Sequence, residues 1–284
     1  MTADPIPYRE PVFVDGGGGT RIATYEFGNQ NGPAALLIHG YNQCHLCWHR
    51  QVSGPLAERY RLIAFDLRGH GRSDKPLEAD AYKDQSIWAA DVAAVIKALE
   101  IDRPVLVGWS YGGHVINAYL ETMGTAALSG VVYVGAITVA GNEKAGPLYL
   151  DEQRAVAAAM LDDNIYAAND ATLAFIGRCF EEPPGEDETR RIIAYNMLVP
   201  VAVRQALRSR TIDADAVLAA IDVPTLVIHG TKDRVVLVES GRRIAALVPG
   251  STLTLYEGIG HSPFAEAPER FDADLDAFLQ SLTR

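Results

Sequence analysis

The chain has 284 residues, a formal charge of −11 at neutral pH, 48% hydrophobic residues and 21% charged ones. That acidity argues against nucleic acid or an anionic membrane surface as a partner. No apolar run reaches the roughly 18 residues a membrane-spanning helix needs. Met1-Thr2-Ala3-Asp4-Pro5 lacks a basic-then-apolar secretion signal, and three cysteines do not make a disulfide framework. Length and composition suit one α/β domain with a buried core and one insertion, expected in the cytoplasm.

From the amino terminus, Pro11 to Val14 and Thr20 to Phe27 read as two strands joined by Gly16-Gly17-Gly18-Gly19. No helix and no Lys-Ser/Thr follows these glycines, so a hairpin turn fits better than a phosphate cradle. Ala34 to His39 reads as a buried strand ending in Gly40-Tyr41-Asn42, with the first crossover helix over Trp48 to Arg59. Between them, Cys44-His45-Leu46-Cys47 and His49 are metal-ligand types at close spacing. A zinc site wants a second ligand pair, and only Cys179 remains, so no metal is expected. Arg61 to Phe65 is the next strand, and Asp66-Leu67-Arg68-Gly69-His70-Gly71-Arg72-Ser73 a polar loop pinned by ion pairs. Ser86 reads as the N-cap of a helix over Ile87 to Leu99, whose apolar residues recur at helical spacing.

Val105-Leu106-Val107-Gly108-Trp109-Ser110-Tyr111-Gly112-Gly113 organises the chain. A buried strand runs straight into Gly-x-Ser-x-Gly, and a helix-like segment follows over His114 to Thr122. Glycines at 108 and 112 let the backbone fold tightly around the serine, the arrangement called a nucleophile elbow. Tyr41 and Tyr111 would then offer backbone N–H groups as an oxyanion hole.

Leu128 to Val139 reads as a strand with an exit loop. From Gly141 to about Arg210 the pattern turns helical, with candidates at Leu150–Leu161, Ala171–Phe180, Glu188–Met197 and Val201–Arg210. A helical insertion here would sit over the strand ends as a substrate-selecting cap. The strand pattern resumes at Pro224 to His229, followed by Gly230-Thr231-Lys232-Asp233. A serine–histidine pair needs a carboxylate to orient the imidazole. The strand after the serine helix ends in Val134-Gly135-Ala136, with no acid, and Glu257 shares a short loop with His261. Asp233 is therefore the expected carboxylate. The last strand, Leu253 to Tyr256, leads to Gly260-His261 and a helix over Pro268 to Leu282, so His261 is the expected base.

Serine, aspartate and histidine in that order, each just past a strand, resemble the α/β-hydrolase superfamily. The likeness runs from about Pro11 to Leu282, carried by His39-Gly40, Asp66 to Ser73, Gly108 to Gly113, His229 to Asp233 and Gly260-His261. It implies a mostly parallel eight-stranded sheet flanked by helices, with one antiparallel strand near the start. Residues 1–140 and 211–284 would form the core, and 141–210 a helical cap inserted after the sixth strand. The branch it resembles includes capped esterases, lactonases, C–C bond hydrolases and cofactor-free haloperoxidases. A Ser110–His261–Asp233 triad without cofactor would cleave a small to medium, largely apolar carboxylic ester or lactone. C–C bond hydrolysis, perhydrolysis or a slow-turnover ligand receptor are the alternatives. Tyr41, Trp109 and Tyr111 put aromatic surface beside the serine, and Leu148, Tyr149, Tyr166, Phe175 and Met197 are candidate lining. His39, His45, His49, His114 and His229 are assigned supporting roles, since one base suffices, and His70 could be taken for the base but His261 is better placed.

Overall fold

The computed structural model describes residues 9–282; the amino-terminal Met1–Pro5 stretch read above for a secretion signal lies outside them. Eight strands form one sheet: β1 (Val12–Asp15), β2 (Arg21–Gly28), β3 (Ala34–Ile38), β4 (Arg61–Phe65), β5 (Val105–Trp109), β6 (Gly130–Val134), β9 (Thr225–Gly230) and β10 (Thr252–Tyr256). Their spatial order is β1-β2-β4-β3-β5-β6-β9-β10. Strand β2 pairs antiparallel with both neighbours, and every other pairing is parallel. This is the α/β-hydrolase sheet that the motif order implies. A short antiparallel ribbon of β7 (Val139–Ala140) and β8 (Ile212–Asp213) stands apart from it.

The central strands are buried along their whole length because helices cover both faces. On one face, Trp88, Val92 and Val95 of the helix Gln85–Ala98 and Val115 and Ile116 of the helix Tyr111–Met123 pack against Leu36, Ile63 and Leu106. On the other, Trp48, Phe264, Phe271 and Leu275 pack against Leu37, Leu62 and Val107. Burial of this apolar surface supplies the main drive to fold, roughly 25 cal/mol for each Å² removed from water.

Two local expectations need correction. The crossover segment is not one helix over Trp48 to Arg59: a turn at His45–Trp48 leads into His49–Ser53, and a separate short helix covers Leu56–Arg59. Pro55 cannot donate to the preceding turn, and it drives Gly54 into extended backbone (φ −93°, ψ −173°). Nor does Ser86 cap the next helix. The chain enters it two residues earlier, and the Asp84 carboxylate accepts from the Ser86 amide at 2.8 Å.

Between β7 and β8 the chain is helical, with a turn at Glu143–Leu148 and helices at Asp151–Ala159, Ile165–Arg178, Glu186–Met197 and Val201–Arg208. Asn164 caps the second of these helices, accepting from the Tyr166 amide at 3.0 Å. No helix among the described residues is long and apolar enough to cross a membrane.

Candidate active site

Chemistry-bearing residues collect at the carboxyl ends of the parallel strands, where an open α/β sheet exposes its loops. Ser110 follows β5 directly, and the helix Tyr111–Met123 starts at the next residue, three residues earlier than the apolar pattern suggested. The turn is so tight that Ser110 adopts φ 53°, ψ −115°, a sparsely populated conformation for a side-chain-bearing residue. Neighbouring glycines make it possible. A Cβ on Gly112 would stand 2.4 Å from the Ile38 carbonyl, and one on Gly108 2.7 Å from the Gly112 backbone. The Ser110 amide donates to Val134 O at 2.9 Å, and its carbonyl accepts from Gly113 and Ile137. The serine is thus tied to β6 as well as to its own strand.

Beyond β9, Asp233 is enclosed, with a side-chain exposure of 0%. One carboxylate oxygen accepts the Val235 and Val236 amides at 2.8 and 2.9 Å. The other accepts from His261 Nδ1 at 2.6 Å and lies 3.1 Å from His229 Nε2, which also donates to Val236 O. Burial alone would raise this carboxyl's pKa, but His261 and His229 together hold it well below the usual carboxylate range. An ionised Asp233 in turn fixes the proton of His261 on Nδ1 and leaves Nε2 as the basic nitrogen.

His261 comes from the loop after β10, which several contacts position. Its ring lies against Gly135, where a Cβ would be 3.1 Å from Nδ1. Its carbonyl accepts the Trp109 indole N–H at 2.8 Å. The Glu266 carboxylate accepts the Gly260 amide at 3.0 Å and the Glu181 amide at 2.7 Å. Neither Ser110 Oγ nor His261 Nε2 is hydrogen-bonded to another described residue. In unliganded enzymes such contacts are often long and tighten around substrate.

The loop after β3 approaches the serine closely, with a Cβ on Gly40 only 3.0 Å from Ser110 Cβ. Two buried histidines shape this loop. His39 accepts the Leu67 amide on Nε2 and donates from Nδ1 to Gly40 O. His70 accepts the Asn42 amide on Nε2 and donates from Nδ1 to Arg68 O. Burial lowers both pKa values, to about 4 and about 3, so both rings are neutral. The Tyr41 and Tyr111 amides have no acceptor among the described residues, as an oxyanion hole requires.

Ser110, Tyr41 and Tyr111 line a cavity of about 660 Å³ whose far walls come from the helical segment, including Tyr149, Gln153 and Phe175. Other expected lining residues are elsewhere. Trp109 points to the opposite face of β5 and packs edge-on against Phe264, because successive strand residues alternate. Tyr166 is 81% exposed on the outside of its helix. Leu148 packs with Val139 and Ala145, and the Met197 thioether lies beside Arg204.

Metal-ligating types do come together at the stretch whose spacing drew notice, joined there by Asp66 rather than by Cys47 or His49. Cys44, His45 and Asp66 offer ligand atoms within 4.8 Å of one another. They are already engaged: His45 Nδ1 and its amide bond Asp66 at 2.9 and 2.8 Å, and burial pushes the Cys44 thiol far from its thiolate. His114 is buried with neither ring nitrogen bonded. Two supports were not found from sequence: His70 behind the oxyanion loop and Glu266 on the His261 loop; His229, read as a loop support, also lies against Asp233. A polar residue within a few positions of each motif was the signal available.

Comparison with known proteins bears on the fold and the family. The chain is 31% identical over 276 residues to a non-heme chloroperoxidase of Streptomyces lividans, covering 93% of this chain and 97% of that protein. Among solved structures, the esterase RhEst1 from Rhodococcus sp. ECU1013 superposes with a TM-score of 0.91 at 38% identity, over 96% of this chain and all of that one. A putative aryl esterase from Burkholderia cenocepacia gives 0.87 at 33% identity, over 96% and 99%. The family model described as "Alpha/beta hydrolase family" matches residues 35–274, and with the sheet order above this chain belongs to that family.

Proposed function

We propose that the chain hydrolyses carboxylic esters or lactones through an acyl-enzyme on Ser110. The observation that carries this reading is the 2.6 Å bond between His261 Nδ1 and the buried Asp233, set beside a serine in a strained elbow. Ser110 Oγ attacks the acyl carbonyl as its proton passes to His261 Nε2, and Asp233 stabilises the imidazolium. The Tyr41 and Tyr111 amides hold the tetrahedral oxyanion; each such donor is worth about 3–4 kcal/mol of barrier. His261 returns the proton to the leaving alcohol, and water then cleaves the acyl-enzyme by the same route. No cofactor or metal enters these steps. Residues 141–210 act as a cap on a core of 1–140 and 211–284, supported by the walls they give the cavity. The protein would act in the cytoplasm on a small molecule rather than on nucleic acid or membrane.

A fluorophosphonate probe tests this directly. It should label the peptide carrying Ser110, and p-nitrophenyl butyrate hydrolysis should disappear in Ser110→Ala along with the label. Hydrolysis that survives in Ser110→Ala would overturn the mechanism. A second reading draws on the chloroperoxidase relative: hydrogen peroxide in place of water would release a peracid from the acyl-enzyme. Bromination of monochlorodimedone with acetate, peroxide and bromide, in which the released peracid oxidises bromide to the brominating species, lost in Ser110→Ala, is its signature.

A further inference from the structure

The helix Ile165–Arg178 gives Phe175 to the cavity wall, and its carboxyl end meets both loops that supply the acid and the base. On the aspartate side the link is Arg234, the residue after Asp233. Its guanidinium donates to the carbonyls of Gly177 and Phe180 at 3.1 and 2.7 Å and lies 4.0 Å from the Glu181 carboxylate. The Arg234 carbonyl accepts from Arg178 Nη2 at 3.3 Å, and Arg178 Nε donates at 2.9 Å to Gln153, another cavity residue. On the histidine side the link is Glu266. One carboxylate oxygen accepts the amides of Gly260 and Ser262, which flank His261, at 3.0 and 3.4 Å. The other accepts the Glu181 amide at 2.7 Å. The two backbones touch here: a Cβ on Gly260 would stand 2.8 Å from the Glu181 nitrogen. Glu266 pairs with no arginine or lysine among the described residues, so its carboxylate serves backbone amides. Such charge-assisted bonds are roughly twice as strong as neutral ones, and none of these three amides has another acceptor among the described residues.

We infer that Glu266, with Arg234, is a positioning residue that makes the placement of the His261 imidazole depend on the seating of residues 177–181. The inference rests on the ester-hydrolase reading of the triad. The loops of Asp233 and His261 already hold each other, through Lys232 N to Ile259 O at 2.9 Å and Gly258 N to Thr231 Oγ1 at 3.0 Å. Glu266 and Arg234 add a third side to that frame, and the helix that supplies it also carries Phe175. An acyl group packed on Phe175 therefore bears on the segment that holds acid and base in place. Rate is sensitive to such placement, since a shift of about 1 Å at a reacting group can cost about a hundredfold.

The test uses the full chain and counts active molecules by saturating fluorophosphonate labelling, so that kcat refers to folded enzyme. Glu266→Gln should lower kcat for p-nitrophenyl butyrate about tenfold and leave KM within about twofold. Glu266→Asp, which keeps the charge, should recover part of that loss. Glu181→Pro deletes only the amide donor across from Glu266 and should lose nearly as much, with the double variant falling no lower than Glu266→Gln. Arg234→Met alters a side chain that is 44% exposed and should lower kcat about threefold. The downfield proton NMR signal of the His261–Asp233 bond should shift or broaden in each variant. Wild-type kcat and an unmoved proton signal in Glu181→Pro and Arg234→Met overturn the inference, as does a loss confined to the number of active molecules. Arg234→Met decides alone if proline at 181 disrupts the fold. Should the wild type cleave no ester, the ester reading fails, and the proton signal in Glu266→Gln still judges the positioning role.

Discussion

Asp66 and Asp233 invite comparison, since both follow a parallel strand of the same sheet, both have side chains with 0% exposure, and both accept a histidine Nδ1. Their surroundings differ. Asp66 gathers the His45 amide and ring, the Tyr25 hydroxyl at 3.2 Å and the Arg72 amide at 2.8 Å, so it ties three segments together. The His45 ring is stacked on Tyr25 at 3.5 Å. Asp233 spends one oxygen on its own loop and the other on histidines, one of which lies beside the Ser110 turn. A buried aspartate–histidine pair therefore does not by itself mark a catalytic site. The histidine's second nitrogen must also be available next to a nucleophile.

That contrast can be broken from either side. The largest effect is expected from Asp233→Asn, which should lower kcat of ester hydrolysis by about four orders of magnitude through the wrong tautomer, with little change in melting temperature. Asp66→Asn should do the reverse, costing about 3 kcal/mol in urea denaturation because it unbalances a buried network, with kcat per folded molecule retained. Acid sharpens the point. Burial would raise the Asp66 pKa, but its bonds to His45 and the amide of Arg72 hold it at about 2. A depressed folded-state pKa means stability that is full above about pH 4 and lost as pH falls through about 2, an amount of about 2–3 kcal/mol. Asp66→Asn should remove that portion of the acid denaturation slope. The smallest effect comes from Gly135→Ala. With φ +50° and a Cβ 3.1 Å from His261 Nδ1, it should lower kcat/KM about tenfold through a displaced imidazole. Equal losses of activity in Asp66→Asn and Asp233→Asn would erase the distinction between the two carboxylates.

The sheet and the spacing of its motifs were legible because buried parallel strands are continuous apolar runs and each motif sits at a strand end. Strand Arg61–Phe65 has the bounds read from the chain, and Val105–Trp109 runs directly into Ser110 as expected. What escaped depends on direction rather than identity. Trp109 neighbours the serine in sequence yet faces the other side of the sheet, and Tyr166 sits on the outer face of its helix. His229 and His261 both approach Asp233, and only the fold distinguishes a strand-end ring from a loop ring. Arg210 looked like the end of a helix; its guanidinium lies 5.3 Å from the Trp88 ring centre and is bonded to the Tyr111 hydroxyl, a packing only the fold creates.

The ribbon of β7 and β8 has a consequence for how such a chain can change. Val139 pairs with Asp213 and Ala140 with Ile212, so the polypeptide leaves the sheet and comes back at a single doorway. Insertions, deletions or wholesale exchange between those two points leave every strand of the main sheet in register. Selectivity can then drift by replacing a cassette, while the sheet beneath it keeps its shape.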